Sequence, residues 1–247
     1  MKKSFLNILG VKIANINYDE ILNLILTAVS KREQITITYA HIETTNQFNK
    51  NQLFRNSLKQ FDIIHPDGTG VYLASRFLFG KEGFDLRFSG SDFYPVLIRF
   101  SILENLSFFF LGDNEETLKL IPIKNTDLKI KGYCNGFNFV DNEVITEINN
   151  IAPDILIVGL GSPKQELWIV KYKSQLNVKV IIAVGDGIKV FADTKYRGPK
   201  VIQNIGLEWL VRLYGDPIRL WKRYLLGIPR FIYSILKEYF KLKFNFS

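Results

Sequence analysis

Pro153-Asp154-Ile155-Leu156-Ile157-Val158-Gly159-Leu160-Gly161-Ser162-Pro163-Lys164-Gln165-Glu166-Leu167-Trp168 is the stretch whose reading decides the fold. An apolar run from Ile155 to Val158 ends abruptly in glycines, and polar Lys164, Gln165 and Glu166 precede Leu167, Trp168 and Ile169. That order predicts a buried strand, a glycine turn and a helix start, with Ser162 as N-cap and Pro163 at the first helical position. A turn of this kind aims free backbone N–H groups and the positive end of a helix at one point, which suits a phosphate or diphosphate. A nucleotide-type ligand is therefore expected around Gly159, Gly161, Ser162, Pro163, Lys164 and Glu166. What is done to that ligand must be sought elsewhere in the chain.

Working outward, strand-type segments alternate with helical ones. Strands are expected at Ile35–Ala40, Phe61–His65, Ser107–Leu111, Lys129–Tyr133, Ile155–Val158 and Val178–Val184. Helical patterns fall near Thr44–Leu58, Gly70–Leu78, Asp92–Leu103, Glu115–Ile121 and Val140–Asn149. The alternation predicts an α/β fold, a Rossmann-like, mostly parallel sheet layered by helices. With 247 residues, 47% of them hydrophobic, the chain can bury a full core. The expected division is an α/β core over residues 1–195 and a helical appendage over 196–247.

Cys134 is the single cysteine, so no intramolecular disulfide can form and a reducing compartment is compatible. The first residues, with Lys2 and Lys3, lack the unbroken apolar stretch of a signal peptide. No run of about 18 uncharged apolar residues is present to span a membrane. The net charge of +8 is concentrated late in the chain. Arg212, Arg219, Lys222, Arg223, Arg230, Lys237, Lys241 and Lys243 are interleaved with Leu, Trp, Tyr and Phe, opposed only by Asp216 and Glu238. This pattern suits a pair of amphipathic helices, broken at Gly227 and Pro229, lying on an anionic membrane surface. Two other readings compete: an apolar face packed on the domain with solvated cations, and a nucleic-acid surface, which lacks a recognised motif.

Further loops end in chemistry-bearing residues. Asp62-Ile63-Ile64-His65-Pro66-Asp67-Gly68-Thr69-Gly70 places a carboxylate at the carboxyl end of a strand, where open α/β sheets bind ligands. Asp67 there is either an ordinary turn residue with its glycine, Gly68, or a group placed to take a proton or hold a sugar hydroxyl. In Arg87-Phe88-Ser89-Gly90-Ser91-Asp92, the cation is either a phosphate partner or a surface ion pair beside an N-cap at Ser91 or Asp92. Gly185-Asp186-Gly187 again allows close backbone approach at a strand end, with Lys195 and Arg197 downstream as possible anion partners. His41 and His65 are the only histidines, so no Cys/His zinc set can be built. Neither a nucleophile elbow nor a Walker-type phosphate loop appears. An Asp-x-Asp pair for a metal on a diphosphate is also missing, so no cofactor or metal is expected.

Taken in order, these motifs resemble the WecG/TagA/CpsF glycosyltransferases. The resemblance rests on Asp67-Gly68-x-Gly70, Arg87-x-x-Gly90-Ser91-Asp92, Pro153 to Trp168, Val184-Gly185 with Arg197-Gly198-Pro199, and Gly206-Leu207-Glu208-Trp209 followed by Arg212, Asp216-Pro217, Arg219 and Arg223-Tyr224. It extends over roughly residues 5–235. It implies an inverting transferase that moves a hexose-type sugar (N-acetylmannosamine, its uronic acid or a relative) from a UDP-sugar to a sugar on polyprenyl diphosphate. The setting implied is cell-surface polysaccharide synthesis, peripherally at the cytoplasmic face of the membrane, with no nucleic acid partner; a homo-oligomer is left open. Asp67 matches the family's general base, Gln165 a polar residue of the active site, and Arg212, Arg219 and Arg223 an appendage that closes over it. The departing diphosphate would meet the N–H groups near Gly161–Lys164 and cations such as Arg87, Arg197, Arg212 or Arg219.

The chain departs from the family pattern twice. A Thr-x-Asn is usual at the end of the first core strand, its Asn 26 residues before the base. Here that count reaches His41, with Tyr39 at the Thr position and Thr38 one residue away. Lys189-Val190 stands where a Phe-Asp pair is usual. The rival from another class is a non-catalytic subunit that binds a nucleotide sugar or lipid carrier and does not need Asp67. An oxidoreductase is disfavoured, because no G-x-G-x-x-G follows the first strand.

Overall fold

The computed structural model describes residues 4–204 and 206–244; Lys2 and Lys3 lie outside them. Strands β1 (Ser4–Ile8) and β2 (Val11–Asn15) form a hairpin turned at Leu9-Gly10, both at positive φ. Then come α1 (Tyr18–Lys31), β3 (Ile35–Ala40), α2 (Ile42–Lys50), α3 (Gln52–Leu58), β4 (Ile63–Pro66), α4 (Thr69–Phe79), α5 (Gly90–Leu103), β5 (Ser107–Gly112), α6 (Glu115–Lys124) and β6 (Lys129–Cys134). The chain continues through α7 (Asp141–Ile151), β7 (Ile155–Gly159), α8 (Lys164–Tyr172), β8 (Val180–Ala183), α9 (Ile188–Phe191), α10 (Lys200–Asn204), α11 (Glu208–Gly215), α12 (Pro217–Trp221) and α13 (Gly227–Phe244). β3 to β8 form one six-stranded sheet, all parallel, in the order β4-β3-β8-β7-β5-β6.

Central β5, β7 and β8 are buried throughout apart from Gly159 at the end of β7, which is why they read as unbroken apolar runs. Alternate residues feed opposite faces. Phe109, Leu156 and Ile181 join Phe48, Phe54, Trp168 and Ile169 on one side. Phe108, Phe110, Ile155 and Ile182 join Ile21, Phe93, Leu118 and Phe191 on the other. Each such side chain is worth about 1.5–3 kcal/mol when withdrawn from water. The amino edge of the sheet is stapled twice by the same device. Asp62 accepts from the Thr36 N–H and hydroxyl at 2.8 and 2.7 Å. Asp154 accepts from the Ser107 N–H and hydroxyl at 2.9 and 2.6 Å. Asp154, inside the most conspicuous motif, is thus a strand staple at the edge away from the glycine loops.

Several boundaries differ from the sequence expectation. The single helix expected over Thr44–Leu58 is two, because Asn51 leaves helical geometry and caps α3 through the Phe54 N–H. Helix α5 begins at Gly90 with Ser89, not Ser91 or Asp92, as its N-cap. Ser162 is not the N-cap of α8 and Pro163 is not its first residue. Pro163 occupies the cap position, and the Ser162 hydroxyl is buried without a hydrogen-bond partner. The hairpin β1–β2 and helix α1 lie outside the elements expected from the sequence; α1 is fixed by a capping box between Asn17 and Glu20.

Gly227 and Pro229 do not break the C-terminal helix. A π-helical turn, Lys222–Leu226, carries α12 into α13, and the Gly227 N–H bonds the Lys222 carbonyl five residues back. The lengthened turn sits just where Pro229, lacking an N–H, would interrupt the ordinary ladder. Phe231 and Ile235 of α13 are buried against the first core, and Asn46 of α2 donates to the Gly227 carbonyl at 3.0 Å. Ile232, Tyr233, Leu236 and Phe240 stay exposed. Among the described residues no helix is long and apolar enough to cross a membrane.

Candidate active site

Parallel pairing sends β3, β4, β7 and β8 out of the sheet on the same side. Their carboxyl ends deliver His41, Asp67, Gly161 and Gly185 to one crevice. The crevice holds two adjoining cavities with a common wall of His41, Glu43, Asp67, Ser91, Arg212 and Arg223. One, of about 330 Å³, is also lined by Tyr39, Gly161, Ser162, Gly185, Asp186, Lys195 and Arg219; we call it the β8-side cavity. The other, of about 150 Å³, is lined by Ile42, Gly68, Thr69, Arg87, Trp209, Tyr224 and Ile228; we call it the α4-side cavity. The first is polar and cationic, the second largely apolar and aromatic.

Asp67 lies between them. Its N–H bonds the Ala40 carbonyl at 2.8 Å, and its Oδ1 accepts the Gly90 N–H at 2.9 Å. The carboxylate is thereby anchored to β3 and to the start of α5 before any ligand arrives. Gly68, at φ +82°, turns the chain where a side chain would be strained, and a Cβ on Gly70 would meet Ile42 at 2.4 Å. His65 lies buried next to this loop. It donates from Nδ1 to the Pro66 carbonyl and packs on Phe88 at 4.4 Å. Burial holds its pKa below the usual imidazole value, so it stays neutral.

The β7–α8 loop divides its residues. Gly161 and Ser162 face the β8-side cavity. Lys164 turns away, donating to the Gly136 carbonyl at 3.2 Å and lying over the Phe139 ring. Gln165 is fully buried, accepting the Gly185 N–H at 2.9 Å on Oε1 and donating to Glu166 Oε1 at 2.8 Å and the Tyr39 hydroxyl at 3.4 Å. Thr38 donates to the same Glu166 oxygen at 3.4 Å. Burial pushes the Glu166 carboxyl above its usual range, and Oε2 has no partner. Thr38, Gln165 and Glu166 thus form a polar lattice behind the cavity wall, which reaches the space through Tyr39 and through the Gly185 turn that Gln165 holds. Burial and the nearby Glu166 also raise the Tyr39 phenol, so it stays protonated. Gly159 is a packing residue: a Cβ there would press on Ile188.

Residues from the C-terminal helices roof both cavities. Arg212 pairs with Glu208 at 3.6 Å, and Arg223 contacts His41 Nε2. His41 Nδ1 also receives the Thr44 N–H, capping α2, while burial and then Arg223 and Arg212 keep the ring neutral. Arg219 pairs with Asp216 at 2.6 Å at the rim. Arg87 lines the α4-side cavity, tied to the Gln203 carbonyl at 2.8 Å and to Thr69. Arg197 lines neither cavity; it bridges Asp92 and Glu208, both at 2.7 Å, and so fastens α11 to α5.

Tyr94 and Glu43 line the site and were not singled out from the sequence. Tyr94 does leave a trace there. A Cβ on Gly90 would lie 3.0 Å from its hydroxyl, and one on Gly187 would lie 2.3 Å from its ring. Both glycines are emptied to admit it. Among the described residues no cluster of His, Cys, Asp or Glu is arranged to hold a metal ion. Chemically, an anchored carboxylate between a cation-lined space and an amphipathic one can take a proton from a hydroxyl in one space while an anion is held in the other.

Known proteins bear on this geometry. Residues 6–245 match the family model described as "Glycosyl transferase WecG/TagA/CpsF family". Relatives from Staphylococcus aureus strains MRSA252, MW2 and NCTC 8325 are each 29% identical over 245 residues, covering 96% of this chain and 94% of theirs. Each bears the name N-acetylglucosaminyldiphosphoundecaprenol N-acetyl-beta-D-mannosaminyltransferase. With the match running through both cavities and the helices that roof them, this chain belongs to the WecG/TagA/CpsF family of glycosyltransferases.

Proposed function

We propose that this chain transfers a hexose-type sugar, of the N-acetylmannosamine kind, from a UDP-sugar to a sugar carried on polyprenyl diphosphate, inverting the anomeric centre. The observation that carries the reading is the position of Asp67 between two cavities of opposite character. The β8-side cavity, with its glycine turns and cations, suits the nucleotide diphosphate. The α4-side cavity, walled by Trp209, Tyr224 and Ile228, suits the acceptor sugar and the start of its lipid. Asp67 takes the proton of the acceptor hydroxyl as its oxygen attacks the anomeric carbon. UDP leaves from the opposite face, its growing charge met by Arg212, Arg219 and the backbone N–H of Gly161. The names of the relatives support the acceptor and the sugar class.

The exposed face of α13 supports a membrane-surface setting. Ile232, Tyr233, Leu236 and Phe240 are exposed on a helix that also carries Arg230, Lys237 and Lys241. The deciding experiment measures UDP release from UDP-N-acetylmannosamine with a short-chain lipid diphosphate–N-acetylglucosamine acceptor, for wild type and Asp67→Asn. Acceptor-dependent release that disappears in the variant is expected. Binding of both substrates without transfer by the wild type would overturn the enzyme reading in favour of a carrier-binding subunit.

A further inference from the structure

The cations around the crevice are not equally committed. Arg197 is held by two carboxylates at 2.7 Å, and Arg87 by a carbonyl at 2.8 Å and the Thr69 hydroxyl. Arg223 rests on His41, and Arg219 is held by Asp216 at the exposed rim. Lys195 differs. The Lys195 side chain is only 9% exposed and lines the β8-side cavity, yet Asp186, the carboxylate it pairs with, stands 3.5 Å away. A direct charge-assisted bond would be about 2.7–2.9 Å. Asp186 is also shared with Lys189 at 3.5 Å, which in turn leans on Asp113 at 4.0 Å. A three-donor ammonium is therefore held in nearly dry space on the cavity wall with a single loose ion pair among the described residues. Burial, and then Arg212, pull this ammonium down to about 8, so a nearby anion would relieve it.

We infer that Lys195, poised on Asp186 beyond β8, is a specificity-determining residue that reads the second phosphate of the nucleotide, selecting diphosphate over monophosphate ligands. The inference rests on the proposed nucleotide-sugar reading and adds a residue and a selectivity to it. On binding, the ammonium trades a distant, shared carboxylate for phosphate oxygens, and Asp186 keeps Lys189 as its counter-charge.

The test is calorimetric titration of full-length protein with UDP, UMP and uridine, for wild type, Lys195→Met and Lys195→Arg. Wild type should prefer UDP over UMP. Lys195→Met should weaken UDP by about 10–100-fold, the loss of one charge-assisted contact, and collapse the UDP/UMP ratio. Uridine should change less than about twofold, and Lys195→Arg should recover most of the ratio. A thermal midpoint for each variant guards against misfolding. An unchanged UDP/UMP ratio in Lys195→Met, with wild type binding UDP, overturns this inference alone. Failure of wild type to bind UDP overturns the nucleotide reading and this inference with it.

Discussion

The loops that follow β4 and β7 have the same outline: a buried strand, a glycine at positive φ, and a helix within three residues of it. Their uses differ. The β4 loop spends its backbone on neighbouring elements, with Asp67 N–H on Ala40 and Gly68 N–H on Phe88, and leaves its carboxylate at the junction of the cavities. The β7 loop offers backbone at Gly161 and Ser162 to the cavity and buries its polar side chains, Gln165 and Glu166, behind the wall. One loop presents a side chain on a fixed frame; the other fixes a frame with its side chains. The richer motif is thus the support, and the plainer one holds the reactive group.

If that division holds, variants in the two loops should fail in different ways. Asp67→Asn should give the largest effect. It can still accept the Gly90 N–H, so the thermal midpoint should stay near wild type while kcat falls by at least about 100-fold. Near-normal turnover would remove Asp67 from the chemistry. Gln165→Leu comes next and should act on fold and binding together. The Gly185 N–H loses its buried acceptor, costing about 1–3 kcal/mol in denaturant unfolding. UDP affinity should fall as the Gly185 turn loosens, and a stable variant with normal affinity would contradict the support role.

Glu166→Gln should show a smaller effect, read through pH. The folded carboxyl is raised above its ordinary value of 4.5 by burial. Its stabilising contribution is therefore complete below that value and is lost as pH rises through the raised one. The thermal midpoint of wild type should fall relative to the glutamine variant as pH climbs above about 4.5. Parallel curves would mean the carboxyl titrates as it does when unfolded. Lys164→Ala should matter least, with UDP affinity within about twofold, because its ammonium points at the Gly136 carbonyl and not at the cavity. A large loss there would return Lys164 to the ligand and erase the contrast between the loops.

Strands were the most legible part of the fold. Phe108 to Leu111, Ile155 to Val158 and Val180 to Ala183 are buried on both faces, and only apolar residues survive there. The hairpin β1–β2 was not legible, because Phe5, Lys12 and Asn15 dilute its alternation. The continuity of α12 into α13 was hidden by Gly227 and Pro229, whose breaking tendency a π turn absorbs. In the site, Asp67, His41, Gly161, Ser162, Gly185, Asp186, Arg212, Arg219 and Arg223 all line the crevice, as does Arg87 on its α4 side. Thr38, Gln165 and Glu166 lie one layer behind, and Lys164 and Arg197 serve contacts elsewhere. A spacing argument places a residue on a loop; it does not tell which way a long side chain swings once carbonyls and carboxylates compete for it.

By itself the sequence determined the class of fold, the strand ends on which chemistry could sit, and the family. Apolar runs, glycine turns and the order of motifs depend on local geometry and on burial, and both are written residue by residue. Tertiary structure alone decided which charges are free. Arg197 is spent between Asp92 and Glu208, and Lys164 on a carbonyl, whereas Lys195 is nearly buried and loosely paired beside Asp186. The commitment of a charge depends on partners far along the chain and on the dryness of the space around it, and both are set only when the strands come side by side.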